Sequence, residues 1–241
     1  MTLRPAETWV FGYGSLMWNP GFAYAEARPA TLRGFHRAFC IYSVHYRGTA
    51  RQPGLVLGLD RGGVCHGLAF RLAPEMHAET LAYLRRRELI YGVYREAFVP
   101  VELARDHPGA PLRSVFALAY IAERAHPAYA GALALAREAT LIRRSAGRSG
   151  TNLDYLLSTR RHLQSLGIQD ARMDRLVALT GALAGRAAAQ GGAARSTVGQ
   201  TRAWAARPTR VPLTVQDNRF GYRAKCVHAE ARARQRPTNE E

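Results

Sequence analysis

The order of strand-like and helix-like segments constrains the fold of this chain more than any other feature. Short apolar and aromatic runs, partly alternating with polar residues and bounded by glycines, fill much of the first half. Such runs predict strands, with one glycine-bearing turn closing a β-hairpin. We expect strands at Trp9 to Tyr13, Leu32 to Tyr46, Tyr94 to Val101 and Arg113 to Ala122, and the hairpin over residues 55–72 with its turn at Asp60-Arg61-Gly62-Gly63.

Helices are predicted between and after these strands. Pro74 suits the first turn of a helix through about Leu89. Thr151 followed by Asp154 is typical of a helix start, and Gly167 of the end of that helix. Asp170 can cap a further helix. One face of that helix carries Met173, Leu176, Val177 and Thr180. Strands first, with helices inserted and appended, predict an α+β fold with an antiparallel sheet or small barrel.

The composition changes near residue 182. A chain of 241 residues suits one domain with an appendage. Beyond Ala182, bulky apolar residues become rare and alanine, glycine and arginine dominate. We therefore expect one domain over residues 1–182 and a flexible basic tail over residues 183–241. The sequence has no apolar run long enough for a membrane span and no apolar segment typical of a signal peptide, which favours the cytoplasm.

The formal net charge of +16 is compatible with weak binding to polyanions. Lys225 is the only lysine, however, and the arginines form no dense cluster interleaved with aromatic residues. Specific recognition of nucleic acid is therefore not supported. The cysteines Cys40, Cys65 and Cys226 are widely spaced, and the histidines show no spacing typical of metal ligands. We expect reduced thiols and no metal site.

The segment from Gly12 to Met17 directly follows the first predicted strand. It lacks the third glycine of a dinucleotide-binding loop, where Met17 stands, and Ser15 lacks the Gly-x-Ser-x-Gly context of a hydrolase. Two glycines allow a tight turn that presents backbone N–H groups to a carboxylate or another small anion. A plain tight turn with Tyr13 as a core aromatic residue explains the same pattern.

Glu88 is the carboxylate most suited to acid–base chemistry. It shares a helix face with Leu81 and Leu84, so it lies on the stripe expected to point inward. Burial and the negative end of the helix dipole would raise its pKa, as a general base requires, whereas nearby Arg85 to Arg87 would lower it. The alternatives are a surface glutamate paired with one of those arginines, and Glu96 as a competing carboxylate.

A third segment, from Ser145 to Leu157, joins a Gly/Ser-rich loop to a capped helix. It is compatible with an anion at the helix N-terminus or with a simple turn between helices.

Taken in order, these segments resemble the ChaC-type γ-glutamylcyclotransferases. The similarity runs from about residue 9 to residue 180. Its main motifs are Val10–Leu16, Arg47–Thr49, Gly67–Arg71, Arg87-Glu88 and Ser149–Leu156. The resemblance implies a compact β-barrel-like fold and an enzyme that needs no metal or cofactor. It also implies that the substrate is glutathione, from which 5-oxoproline and Cys-Gly are released.

The resemblance also implies roles for individual residues. Substrate binding is expected at Val10, Phe11, Gly12, Tyr13, Gly14 and Ser15. Glu88 is expected to accept the proton, and Tyr155 to form a wall of the same pocket. Tyr91-Gly92 stands where the family shows two glycines. The alternatives are a cyclotransferase for other γ-glutamyl amino acids or amines and, from another class, a non-catalytic regulator that binds a small molecule or a polyanion through the basic tail.

Overall fold

The structure is a computed structural model that describes residues 7–192, with side chains described for residues 7–183. The five principal strands are β1 (Trp9–Gly12), β2 (Tyr24–Ser43), β3 (Gly54–Leu72), β4 (Tyr94–Leu103) and β5 (Arg113–Ala122). Two short strands, β6 (Ala146–Gly147) and β7 (Gly150–Thr151), pair with each other. The helices are α1 (His77–Glu88), α2 (Leu135–Arg144), α3 (Asn152–Ser165) and α4 (Ala171–Gly192), with 3-10 turns at Ser15–Met17 and Pro74–Met76.

Strands β1 to β5 form a closed barrel in the order β1-β3-β2-β4-β5. Every neighbouring pair is antiparallel except the closing pair, in which Trp9 of β1 lies parallel to Ala117 of β5. An odd number of strands cannot alternate in direction all the way around a ring, so at least one pair must be parallel. The predicted α+β fold with a small barrel is confirmed. The barrel differs from a purely antiparallel one in the parallel pairing of β1 with β5.

The predicted hairpin over residues 55–72 is wrong. Strand β3 is continuous and pairs with β2 from Ser43 opposite Gly54 to Tyr24 opposite Leu72. Gly34 in β2 and Gly62 and Gly63 in β3 have positive φ angles of 81°, 95° and 73°. The register of the two strands shifts at this level, between Arg33 and Phe35. The glycines therefore form an irregularity that bends both strands together, where the sequence pattern had indicated a turn.

Strand β1 contributes to two hydrophobic clusters on opposite sides of the sheet. Trp9 and Phe11 belong to the larger cluster, which includes the barrel interior and the buried faces of α2, α3 and α4. Val10 belongs to the second cluster, in which Leu84 of α1 is also fully buried. Alternate residues of a strand point to opposite faces, which explains the division. The turn that follows β1 continues this division, because Met17 belongs to the larger cluster and Leu16 to the second.

Three of the four helices match the sequence prediction. The Thr151 hydroxyl accepts a hydrogen bond from the Asp154 N–H at 3.0 Å, and the Asp170 carboxylate accepts one from the Met173 N–H at 3.0 Å. Helix α2 was not predicted. Helix α4 crosses the predicted boundary at residue 182, because the alanine-rich segment there has high helix propensity.

The remainder of the predicted tail, residues 193–241 with Cys226, lies outside the described residues. Within the described range, no helix combines the length and the apolar character that crossing a bilayer requires.

Candidate active site

The turn after β1 is built by its own backbone. The Gly14 carbonyl accepts a hydrogen bond from the Met17 N–H at 2.9 Å, and the Ser15 carbonyl accepts one from the Asn19 N–H at 2.8 Å. Met17 is the first residue whose N–H group takes part in these bonds. The N–H groups of Ser15 and Leu16 come before it in the chain, so the bonds within the turn do not use them. The sequence places such donors here because Gly12 ends a buried strand and Gly14 and Ser15 follow almost directly.

Buried Arg37 of β2 fixes the start of this turn. Its guanidinium donates to the Tyr13 carbonyl at 2.5 Å and to the His66 carbonyl at 2.7 Å, and it forms an ion pair with Asp170 at 3.3 Å. The Tyr13 hydroxyl donates to the Tyr120 carbonyl at 2.8 Å. Tyr13 is therefore held at both its backbone and its hydroxyl group.

Glu88 is the last residue of α1 and lies one turn beyond the fully buried Leu84. Its side chain is only 18% exposed. Burial raises the pKa of the Glu88 carboxyl above its ordinary value, while the Arg87 guanidinium, with Nε 3.0 Å from Oε1, acts to lower it. Glu88 thus has the arginine partner that the surface alternative required, but it faces inward.

Arg87 joins Glu88 to the turn. Its Nη1 donates to the carbonyls of Asn19 and Pro20 at 2.7 and 3.1 Å, and its Nη2 donates to the Ser15 hydroxyl at 3.0 Å. One guanidinium therefore sets the position of the carboxylate relative to the turn. The adjacency of Arg87 to Glu88 is the one feature of the sequence that indicates this role.

A small cavity of about 50 Å³ lies where the turn and the end of α1 meet. Two larger cavities, of about 550 and 260 Å³, lie elsewhere and contain none of the predicted site residues. We take the small cavity as the candidate site because it brings a half-buried carboxylate and four tyrosines together. Its lining residues are Tyr13, Gly14, Ser15, Leu16, Leu57, Glu88, Tyr94, Tyr120 and Tyr155.

The tyrosines of the cavity remain protonated over the physiological range. Burial raises the pKa of Tyr13 and Tyr94 well above the ordinary value, and it raises the pKa of Tyr155 to about 12. The Tyr94 hydroxyl donates to the Leu57 carbonyl at 2.7 Å. These side chains therefore form a neutral polar wall around Glu88 and leave the carboxylate as the group that titrates.

Asn152 anchors α3 to the barrel and so sets the position of Tyr155. Its side-chain oxygen accepts the Leu55 N–H at 2.6 Å, and its side-chain amide donates to the Leu55 carbonyl at 2.7 Å. Asn152 is fully buried, and Tyr155 follows three residues later on the same helix. These bonds and the Thr151 cap explain the loop before α3 as a turn with a structural role. They favour the simple-turn interpretation of this segment over an anion site.

The structure brings some of the predicted residues together and separates others. Tyr13, Gly14, Ser15 and Glu88 line one cavity with Tyr155. Val10, Phe11 and Gly12 lie within β1 and do not line it. The side chains of Val10 and Phe11 are fully buried in the two hydrophobic clusters.

Glu96, the competing carboxylate, lies outside the cavity. It pairs with Arg85 at 3.0 Å and accepts a hydrogen bond from the Tyr120 hydroxyl at 3.3 Å. Arg37, Tyr94 and Tyr120 were not predicted from the sequence. Their contacts join segments that are far apart in the chain, so no local pattern identifies them.

Comparisons with known proteins show the family to which the chain belongs. The sequence model described as "ChaC-like protein" matches residues 8–183. A glutathione-specific γ-glutamylcyclotransferase of Escherichia coli (strain K12) is 40% identical over 179 residues, which cover 73% of this chain and 75% of the relative. The human glutathione-specific γ-glutamylcyclotransferase 1 is 37% identical over 184 residues, with coverages of 74% and 79%.

A solved structure is similar as well. The crystal structure of a γ-glutamylcyclotransferase specific to glutathione from yeast has a TM-score of 0.66 and 25% identity, and the alignment covers 73% of this chain and 96% of that one. The family model covers the part of the chain that forms the barrel and its helices. The chain therefore belongs to the ChaC-like family.

Proposed function

We propose that this protein is a glutathione-specific γ-glutamylcyclotransferase that converts glutathione to 5-oxoproline and Cys-Gly. One observation carries the proposal. The half-buried carboxylate of Glu88 faces the same cavity as the turn formed by Tyr13, Gly14 and Ser15. The names of the most similar relatives support glutathione as the substrate.

The reaction needs little from the protein beyond positioning and proton transfer. The α-amine of the γ-glutamyl group attacks the carbonyl carbon of the γ-amide, a five-membered ring forms, and the bond to the cysteine nitrogen breaks. Because both reacting groups belong to one molecule, holding them in a near-attack geometry can supply effective molarities of about 10⁵–10⁸ M. The main task of the site is therefore to fold the substrate.

Glu88 carries the proton in this proposal. Its carboxylate removes a proton from the attacking amine and returns it to the departing cysteine nitrogen, so the group ends in its starting state. Burial raises the pKa of Glu88, which makes the carboxylate a stronger base than an exposed glutamate. The ion pair with Arg87 engages Oε1, so we assign the proton transfer to Oε2.

The turn after β1 binds the substrate. The N–H groups of Ser15 and Leu16 are suited to the α-carboxylate of the γ-glutamyl group or to the oxyanion that develops on the γ-carbonyl. Arg37 and Arg87 hold the turn from both sides, so these donors are positioned before the substrate arrives. Val10, Phe11 and Gly12 would support this site from within β1.

The experiment that tests the function is a product assay with purified protein. Formation of 5-oxoproline and Cys-Gly from glutathione, at a kcat/KM well above that for γ-glutamyl-alanine, is the expected result. Equal or faster turnover of γ-glutamyl-alanine would favour the broader cyclotransferase. If no γ-glutamyl compound yields 5-oxoproline, the enzyme assignment is wrong and the non-catalytic regulator takes its place.

We also place this activity in the cytoplasm. The proposed substrate is a reduced thiol, and the described cysteines, Cys40 and Cys65, are free and buried. Burial raises the pKa of Cys40 to about 12, so its thiol is unreactive at neutral pH. Free thiols of this kind are typical of proteins from reducing compartments.

A further inference from the structure

Arg47 lies beside the cavity, in the loop between β2 and β3. Its guanidinium carbon is 5.2 Å from the ring centre of Tyr155, a residue that lines the cavity. One of its nitrogens donates to the Thr151 carbonyl at 3.2 Å. The cation is therefore one aromatic side chain away from the space in which the γ-glutamyl group is proposed to react.

Arg47 forms no direct ion pair with a carboxylate among the side chains described for residues 7–183, although the charge of the Asp154 carboxylate acts to raise its pKa. The two other arginines near the site differ, because Arg37 pairs with Asp170 and Arg87 pairs with Glu88. Arg47 is nevertheless partly removed from water, and this burial lowers its pKa. A half-buried cation without a directly paired anion costs free energy, which an anionic ligand bound to the guanidinium would offset.

The loop that carries Arg47 is held closely by its neighbours. The Arg47 N–H donates to the Ser43 hydroxyl at 3.0 Å. A Cβ atom on Gly48 would lie only 2.1 Å from the Gly54 nitrogen, and one on Gly147 would lie 2.6 Å from the Gly48 nitrogen. Such close approach fixes the backbone on both sides of Arg47, so the guanidinium is positioned in advance.

The same loop reaches the segment that follows Glu88. The ring of Tyr46 packs against the ring of Tyr91, with the two ring centres 6.1 Å apart. Tyr91 stands three residues after Glu88. Arg47 and Glu88 are therefore carried by two segments that meet at the same end of the barrel.

We propose that Arg47 binds the glycine carboxylate of glutathione and so selects the tripeptide over γ-glutamyl compounds that lack an anion at this distance. This inference rests on the proposed function. Two residues span at most about 7 Å, so the glycine carboxylate can lie roughly that far beyond the γ-amide. The guanidinium of Arg47 lies 5.2 Å from the centre of the Tyr155 ring that lines the cavity, which suits a carboxylate at that distance from the γ-amide. A planar guanidinium can bind a carboxylate through two hydrogen bonds.

The test compares glutathione with its C-terminal amide, γ-Glu-Cys-Gly-NH2, which lacks only the glycine charge. For the unmodified protein, kcat/KM for glutathione is expected to exceed that for the amide by about 10- to 100-fold, mainly through KM. Arg47→Met is expected to lose activity on glutathione to that extent and to keep its activity on the amide, so the preference disappears. The exposed Arg51 in the same loop provides the matched control, and Arg51→Met is expected to keep the full preference.

Each other outcome has a definite meaning. An equal loss on both substrates in Arg47→Met, or no preference in the unmodified protein, would overturn the role of Arg47 while the proposed function stands. Absence of 5-oxoproline from both substrates in the unmodified protein would overturn the proposed function, and this inference with it. If Arg47→Met does not fold, Arg47→Lys decides the question, because retained charge predicts an intermediate preference and a structural role predicts equal losses.

Discussion

Replacing Asn152 by alanine tests how α3 holds the site together. The side-chain amide of Asn152 bonds both the N–H and the carbonyl of Leu55. Strand β1 pairs with β3 only over Leu68–Arg71, so β1 does not reach Leu55. Asn152 bonds the backbone of Leu55 in place of a neighbouring strand on that side of β3. Asn152→Ala removes both bonds from a fully buried position.

The cost follows from the two backbone groups left without partners. Each unsatisfied buried polar group costs about 1–3 kcal/mol, and a water molecule entering the vacated space recovers part of this, so we expect a loss of about 2–4 kcal/mol in the free energy of unfolding. Thr151→Ala, which removes only the helix cap beside it, is expected to cost about 1 kcal/mol. Activity falls as well in Asn152→Ala, because Tyr155 lies on the same helix.

Urea unfolding of the two variants and the unmodified protein measures these differences. Asn152→Asp adds a check on their origin. Its carboxyl group can donate to the Leu55 carbonyl only when protonated, so burial would raise its folded-state pKa above the unfolded value. The stability of Asn152→Asp relative to the unmodified protein is then greatest at low pH and lost as pH rises. An Asn152→Ala cost no larger than that of Thr151→Ala would refute the reasoning.

Two further predictions concern the turn and the carboxylate. Glu88 acts when deprotonated, so kcat/KM falls as pH drops through its raised pKa. Arg87→Met removes the cation that lowers this pKa, so a pH–rate profile is expected to show the acid limb at higher pH, and an unmoved limb would contradict the ion pair. In Gly67→Ala, the new methyl group would lie 2.3 Å from the Gly12 carbonyl oxygen, so a clear fall in Tm is expected. Gly109 is exposed, and a methyl group there would meet no other atom, so Gly109→Ala is expected to lower Tm only through the strain of its positive φ angle.

Local patterns in the sequence were sufficient for most elements and for the inward placement of Glu88 on its helix. Apolar runs gave β1, β4 and β5, and the three- and four-residue spacing of Leu81, Leu84 and Glu88 placed the carboxylate on the inner face of α1. Both features depend only on residues a few positions apart in the chain. Information of that range is fully present in a single sequence.

Features that depend on distant contacts were not predictable in the same way. A pair of glycines after Asp60 is compatible with a turn and with a bulge, and only the pairing of β3 with β2 distinguishes them. Arg37 bonds the Tyr13 and His66 carbonyls, which are 24 and 29 residues away, so nothing near Arg37 indicates its burial. The short helix α2 carries no cap that a sequence pattern would reveal.

The proton-transfer role of Glu88 is the central claim, and one measurement tests it most directly. 5-Oxoproline formation from glutathione is compared between the unmodified protein, Glu88→Gln and the control Glu96→Gln, with circular dichroism to confirm folding. Glu88→Gln is expected to fold and to lose at least about 100-fold in kcat, whereas Glu96→Gln keeps most of its activity. A folded Glu88→Gln protein with near-normal turnover would contradict the account.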